Sequence, residues 1–204
     1  IAMAASIQLY NTAKADQKSA ATDRMIDIVQ FIAKQWADEP AGRDAQGRLA
    51  SIALAVGDRN RAMAIAKQLP EDSPQRGEIQ LKLGLANWSD YLKASQDESK
   101  PLSQQELAAL FKETQSTLEE GLASVHKLPD TEINYTLLAS ELSLGQIYNM
   151  QGKFKEAIQL LERPQTGLLD QVNSGSEVIK PLSASVYRDE LKSYVGQKDM
   201  TKAE

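Results

Sequence analysis

The chain contains no cysteine and only one histidine, His126. The lack of cysteine excludes disulfide bonds, thiolate metal sites and a cysteine nucleophile. A histidine-rich metal site or a Ser-His-Asp triad would have to be built around that single imidazole. No apolar run approaches the roughly 18–20 residues that a membrane-spanning helix needs, so no such segment is expected.

An excess of positive charge is also missing, because the net charge is −5 at pH 7. Proteins that bind nucleic acid through the phosphate backbone need clustered Lys and Arg side chains, so no nucleic-acid partner is expected. The chain begins with Ile1, and no basic segment followed by an apolar stretch lies there. We expect it to be a fragment of a larger protein or a processed chain.

Helical periodicity, in contrast, extends almost throughout the sequence. In residues 22–38 the apolar side chains fall three or four positions apart, at Met25, Ile28, Val29, Ile32 and Trp36. Alternating runs rich in Val, Ile and Thr, which would predict strands, do not occur. The sequence therefore predicts an all-α protein of about nine helices joined by short breaks.

Turn-forming residues mark the expected breaks between helices. They fall at residues 39–42, 57–58, 70–74, 129–130, 152 and 173–175. One helix start is well defined, because Ser103 is followed three residues later by Glu106, which is the spacing of a capping box. Two polar stretches, residues 95–101 and 171–176, predict exposed loops.

One segment, residues 144–157, carries a pattern of residue types typical of a helix pair. It contains Leu144, Gly145, Tyr148, Gly152, Phe154 and Ala157. This pattern resembles the tetratricopeptide repeat, in which two antiparallel helices are joined by a glycine turn. The resemblance implies that Gly145 lets a neighbouring helix approach closely, that Gly152 forms the turn, and that Ala157 fits where the helices cross.

Weaker copies of this pattern occur elsewhere in the chain. A moderate copy keeps the same offsets at Leu49-Ala50, Gly57 and Ala62, and Leu83-Gly84 follows 34 residues after Leu49-Ala50, the period of the family. A last partial copy holds Tyr194, Met200 and Ala203.

The resemblance implies an α–α superhelix, an irregular tetratricopeptide-like solenoid that occupies residues 1–204 as a single domain. Its helix pairs are expected at roughly residues 1–40, 41–74, 75–129, 130–165 and 177–204, with a polar loop at 95–101 and with the last pair truncated inside its second helix.

Candidate catalytic and metal-binding residues are few. His126 lies at a predicted helix end, where free carbonyls and the helix dipole favour polar or positive side chains. Carboxylate pairs such as Glu119-Glu120 are adjacent in sequence, whereas a catalytic pair must converge in a cleft. No phosphate-binding loop, GxSxG or HExxH motif occurs. We therefore expect no catalytic residue, no cofactor and no metal, and a protein that is not an enzyme.

Trp88 and Tyr91 lie three residues apart and share one helix face. They could offer a stacking platform to a partner, but burial against the long following helix is the favoured interpretation.

In the family that the chain resembles, partner-binding residues lie on the first helix of each pair and face a concave groove. The resemblance carries this role to Leu81, Leu85, Trp88, Leu142, Gln146, Asn149, Arg188 and Lys192. The middle positions of this set are apolar or neutral, which disfavours a clamp for a terminal carboxylate and favours an apolar or extended segment.

The resulting hypothesis is a non-catalytic scaffold that binds a partner protein or an extended peptide in the concave groove. Two alternatives stay open. The chain could be a structural module that self-associates through its exposed ends, in which case Trp36 would matter more than the groove. It could also be the recruiting part of a larger enzyme whose catalytic domain lies elsewhere.

Overall fold

The computed structural model describes residues 17–97, 99, 102–128, 132–163 and 167–198, together with positions 8, 12 and 14. Over these residues the protein is all-α and contains nine α-helices and no strand, which confirms the predicted fold class at that level. The helices are α1 Lys18–Gln35, α2 Pro40–Ala55, α3 Arg59–Gln68, α4 Pro74–Gln96, α5 Gln104–Val125, α6 Tyr135–Met150, α7 Phe154–Leu161, α8 Leu168–Asn173 and α9 Ser183–Gln197, with a 3-10 turn at Lys180–Leu182. None of the helices in the described ranges has the length and apolar character needed to cross a membrane.

The predicted capping box is present at the start of α5. The backbone N–H of Glu106 donates to Oγ of Ser103 over 3.2 Å, and the backbone N–H of Ser103 donates to Oε2 of Glu106 over 2.9 Å. Asp58 and Asn134 cap α3 and α6 in a related way, each accepting a bond from a backbone N–H three residues later. These side chains satisfy amide groups that lack an intrahelical partner.

Several breaks between helices lie at other positions in the structure than the sequence predicts. Pro40 begins α2 and is not part of the break before it, because proline fits the first turn of a helix. Residues 171–173 belong to α8, so the loop predicted at 171–176 is shorter than expected. The break at residues 129–130 lies outside the described residues.

The chain divides into two compact units, residues 1–79 and residues 80–204, and α4 runs through the boundary. In the first unit, α1 packs on α2 and α2 packs on α3. The core between α1 and α2 contains Val29, Ala33 and Ala45, with Met25 and Ile32 among the side chains against it. Small alanine side chains at this contact let the two helices lie close together.

The second unit is built around α6. One hydrophobic cluster joins α4, α5, α6 and α7 through Leu81, Trp88, Leu118, Leu122, Leu137, Leu144, Ile147 and Leu160. A second cluster joins α6 and α7 to α8 and α9 through Leu138, Leu142, Leu161, Leu168, Leu169, Ile179 and Val186. Helices α6 and α7 are separated by three residues, a connection short enough to make them an antiparallel pair.

Helices α4 and α5 approach each other closely at two glycines, whereas Gly145, where the repeat pattern implied a close approach, has more room. A Cβ added to Gly145 would lie 3.6 Å from Cδ2 of Leu161, which is an ordinary van der Waals contact. A Cβ added to Gly84 would lie 2.5 Å from Cδ2 of Leu118. One added to Gly121 would lie 2.8 Å from Cδ2 of Leu81 and 3.1 Å from the Leu81 backbone nitrogen. The glycines that this packing requires are therefore Gly84 and Gly121.

We predict that Gly121→Ala destabilises the protein although alanine is the better helix former. The added methyl group meets the backbone of α4, which cannot move aside as a flexible side chain can, and overpacking of this kind costs about 1–3 kcal/mol. In the matched control Gly145→Ala the methyl group has room, and the gain in helix propensity makes the change neutral or stabilising by up to about 1 kcal/mol. Urea unfolding measures both variants, and a Gly121→Ala variant as stable as the parent would contradict the tight α4–α5 crossing.

Candidate functional site

A chain of hydrogen bonds crosses α4, α6 and α9 in the second unit. Trp88 on α4 donates its Nε1–H to Oε1 of Gln146 on α6 over 3.2 Å. Gln146 donates its side-chain amide to Oδ2 of Asp189 on α9 over 2.8 Å. Since one side chain of α6 contacts both of the other helices, α6 lies between α4 and α9. We call Trp88, Gln146 and Asp189 the polar ladder.

Asn149 makes a second connection between α6 and α9. Its Nδ2 donates to the carbonyl oxygen of Asp189 over 3.0 Å, and its Oδ1 accepts from the hydroxyl of Ser193 over 2.8 Å. Asn149 is 3% exposed and Ser193 is fully buried. Buried polar groups of this kind need partners that replace the water they lose, so the bonds fix the position of α9 against α6.

The eight partner-binding positions expected on an open groove have very different surroundings in the structure. Four are core residues at 2%, 6%, 5% and 3% exposure, namely Leu81, Trp88, Leu142 and Asn149. For Leu81, Leu142 and Asn149 the exposure expected of a groove position is wrong, because α4 and α6 have packed neighbours on the faces that carry these side chains. The other four keep accessible surface: Leu85 and Gln146 are half-buried, and Arg188 and Lys192 are exposed.

The structure brings part of this predicted set together. Trp88, Gln146 and Asn149 all belong to the polar ladder or contact it, and Arg188 NH2 lies 3.7 Å from Oδ2 of Asp189. Leu142 lies apart from them, in the hydrophobic cluster with α8 and α9.

Trp88 is a core residue, as the favoured interpretation of the sequence predicts, and Tyr91 is half-buried against the same cluster. Their rings stack with centroids 5.3 Å apart and an interplanar angle of 10°. The ring of Phe111, on α5, meets both of them edge-on, at 6.4 Å from Trp88 and 5.0 Å from Tyr91. This aromatic group holds α4 and α5 together and is not an open stacking platform.

A cleft of about 390 Å³ is lined by residues of α5, α6 and α7. Its apolar surface comes from Leu122, Leu144 and Leu160, and two carboxylates, Glu119 and Glu156, also line it. Tyr148 donates its hydroxyl to Oε1 of Glu119 over 3.0 Å. Burial, followed by the negative charges of Glu119 and Glu156, raises the pKa of Tyr148 to about 12. The phenol therefore stays protonated at neutral pH.

His126 and Arg163 line the same cleft, and both contact the carboxylate of Glu141. Nε2 of His126 lies 2.9 Å from Oε1 of Glu141, and NH1 of Arg163 lies 3.3 Å from that oxygen. Glu141 is fully buried, and a buried carboxylate is strongly unfavourable without such partners. Both partners lie at Oε1, and the buried Oε2 has no hydrogen bond among the described residues. The cluster thus connects the end of α5, the middle of α6 and the residues after α7.

His126 lies at a helix end, as predicted, whereas its contact with Glu141 was not predicted. The available signal was Glu141 itself, a single charge within the otherwise uncharged run 136–147. A carboxylate that orients an imidazole also occurs in catalytic triads. The described residues that line the cleft include no serine, threonine or lysine beside His126 that could act as a nucleophile. In the described ranges, no group of three potential metal ligands occurs.

Comparison with known proteins does not assign a family or a function to this site. No protein-family model, no curated protein and no solved structure matches the chain. The contacts of the chain itself are therefore the basis of its proposed function, and the tetratricopeptide resemblance stays a prediction.

We predict that Asn149→Ala lowers the free energy of unfolding by about 1–3 kcal/mol, because Ser193 and the Asp189 carbonyl lose a buried partner. Asn60 is an exposed asparagine on α3 and gives a matched control, with an expected change within about 0.5 kcal/mol for Asn60→Ala. Urea unfolding at neutral pH compares the two, and equal small losses would contradict the buried contact.

A second prediction concerns alkaline stability. Between pH 10 and about 12 an unfolded Tyr148 loses its proton while the folded one keeps it, so stability falls as the pH rises. Tyr148→Phe removes this contribution. From about pH 9 to about pH 11 the parent should lose up to about 1 kcal/mol more unfolding free energy than the variant, a value reduced for the partial exposure of the phenol. If the unfolding free energies of the parent and of Tyr148→Phe change with pH in parallel, the cleft does not raise the pKa of Tyr148.

Proposed function

We propose that residues 80–204 form a tetratricopeptide-like module, a non-catalytic scaffold that binds a partner protein or an extended peptide. The binding face would lie along α4, α6 and α9, the first helices of successive pairs. The observation that carries the proposal is the polar ladder, because Gln146 is hydrogen-bonded to both neighbouring first helices.

The packing of the remaining helices supports this arrangement. Helix α5 packs on α4 at Gly84 and Gly121, and α7 follows α6 after a three-residue turn. Each of these two first helices therefore has a second helix of its own. In an array of such pairs the first helices form a continuous face that is available to a partner.

A repeated local structure supports the family resemblance. The α2–α3 and α6–α7 connections contain Gly57 and Gly152, with φ of 80° and 72°. In both, the residue after the glycine donates its N–H to a carbonyl five residues earlier, over 2.8 Å and 2.9 Å. In both, the alanine five residues after the glycine, Ala62 or Ala157, is fully buried. Glycine-ended helices are common, but the buried alanine at the same offset is what a repeat requires.

The polar and positively charged groups that remain accessible on the proposed face suit a peptide backbone that carries acidic or neutral side chains. Each polar group of Gln146 keeps the capacity for one more hydrogen bond after its contacts with Trp88 and Asp189. Leu85, three residues before Trp88, adds half-buried apolar surface on the same side of α4. Arg188 and Lys192 add exposed positive charge on α9.

The test is selection of roughly 12-residue peptides from a random display library, followed by fluorescence anisotropy against residues 1–204. We expect micromolar binding that Leu85→Lys weakens about tenfold or more, because a charge replaces apolar contact surface. Leu102→Lys changes an exposed leucine outside the face and should leave binding unchanged. Absence of any enriched peptide, or equal binding by the two variants, would contradict the proposal.

A further inference from the structure

Helix α9 carries a stripe of large apolar side chains on its outer face. Tyr187, Leu191 and Val195 follow at intervals of four residues and are 49%, 48% and 48% exposed. This interval places them on one side of the helix, nearly in a row. Single exposed apolar residues are ordinary on protein surfaces, whereas apolar residues that adjoin one another are a feature of interaction surfaces. We call these three residues the α9 stripe.

The inner face of α9 already has its partners in the second unit. Val186, Asp189, Ser193 and Tyr194 are buried there. Asp189 and Ser193 bond to α6, and the hydroxyl of Tyr194 bonds to Glu162 after α7. Because these contacts fix the rotation of α9 about its axis, the α9 stripe cannot turn inward without breaking them. The stripe is thus a stable feature of this surface.

The charge beside the stripe indicates what kind of partner fits. Arg188 and Lys192 each follow a stripe residue by one position, so both lie along the same edge of the stripe. Both are exposed; the guanidinium of Arg188 donates to Oγ of Ser185 over 3.3 Å and lies 3.7 Å from Oδ2 of Asp189. The other edge carries the half-buried Glu190. The stripe therefore has one distinctly basic border on a chain whose net charge is −5.

We propose that the α9 stripe is a docking site for an amphipathic helix of a partner protein, with an apolar stripe bordered by Asp or Glu on the edge that meets Arg188 and Lys192. The proposal rests on the proposed scaffold function and names a class of partner for it. A helix laid on a helix buries the three apolar side chains, and the opposite charges select its orientation.

A second copy of the chain fits this surface less well. In a two-fold antiparallel pairing of two α9 helices, the same edge of each helix meets its own equivalent. Arg188 and Lys192 of one copy would then face Arg188 and Lys192 of the other. Like charges placed together across an interface are unfavourable. In a parallel two-fold pairing the two cations would meet only the half-buried Glu190 of the other copy, so a partner with a fully acidic border is the better occupant.

The experiment uses two synthetic amphipathic helices of roughly 18 residues with the same leucine stripe, one bordered by glutamate and one by lysine. Fluorescence anisotropy measures their binding to residues 1–204 at low ionic strength. We expect the acidic helix to bind about tenfold or more tightly than the basic one. Leu191→Ser should abolish this binding, since it places a hydroxyl at the centre of the contact. The double variant Arg188→Glu/Lys192→Glu should reverse the preference.

A matched double control is Lys112→Glu/Lys127→Glu, which makes the same change of charge at exposed positions on α5 and just after it and should keep the preference for the acidic helix. Equal binding of both helices, binding of neither, or unchanged binding by Leu191→Ser would overturn the docking site. So would a concentration-dependent dimer in sedimentation that Leu191→Ser removes, because the occupant would then be a second copy.

The two tests fail independently. If no display-selected peptide binds but the acidic helix shows the expected preference, the docking site stands and the α4–α6–α9 binding face fails. If selected peptides bind in the expected way while neither synthetic helix does, the binding face stands and the docking site is removed.

Discussion

The burial of α6 on nearly every side is the constraint on which the second unit depends. Residues 137–145 are all buried, and Ile147 and Asn149 continue the buried run. A helix that is apolar all round gains stability only when several neighbours cover it. Helices α4, α5, α7 and α9 provide that cover, so their places follow from the faces that α6 must hide.

Polar groups within this packing decide which arrangement of the neighbours is correct. Apolar contacts tolerate small shifts of one helix along another, whereas an unpaired buried amide or carboxylate is costly. Asn149 has its partners only when α9 places Asp189 and Ser193 beside it. Glu141 has its partners only when the end of α5 and the residues after α7 bring in His126 and Arg163. The apolar residues thus favour association, and these two residues select the register.

The features that could be predicted from the sequence are those that a short stretch of chain determines. The capping box of Ser103 and Glu106 and the glycine turn at Gly152 involve neighbours in sequence, and both are present. Burial of Asn149 and the tight crossing at Gly121 depend on residues 40 positions away, Asp189 and Leu81, which no local pattern identifies. The site prediction erred for the same reason, because the number of neighbours around α6 is not visible in α6 itself.

The contrast between α6 and α9 shows why the apolar surface of α9 is available to a partner and that of α6 is not. Both helices carry apolar side chains on more than one face, but the neighbours of α6 bury most of them and leave the polar Gln146 half-buried. On α9 the contacts of Asp189 and Ser193 use one face, and the α9 stripe remains at the surface. The α9 stripe without charged neighbours would bind any apolar surface, including that of an unfolded chain. The basic border at Arg188 and Lys192 restricts this choice, because burying either cation beside an uncharged surface loses hydration without a compensating partner. Acidic residues along one edge of the partner helix would pair with these two cations. The α9 stripe would therefore bind an acidic amphipathic helix in preference to an uncharged one.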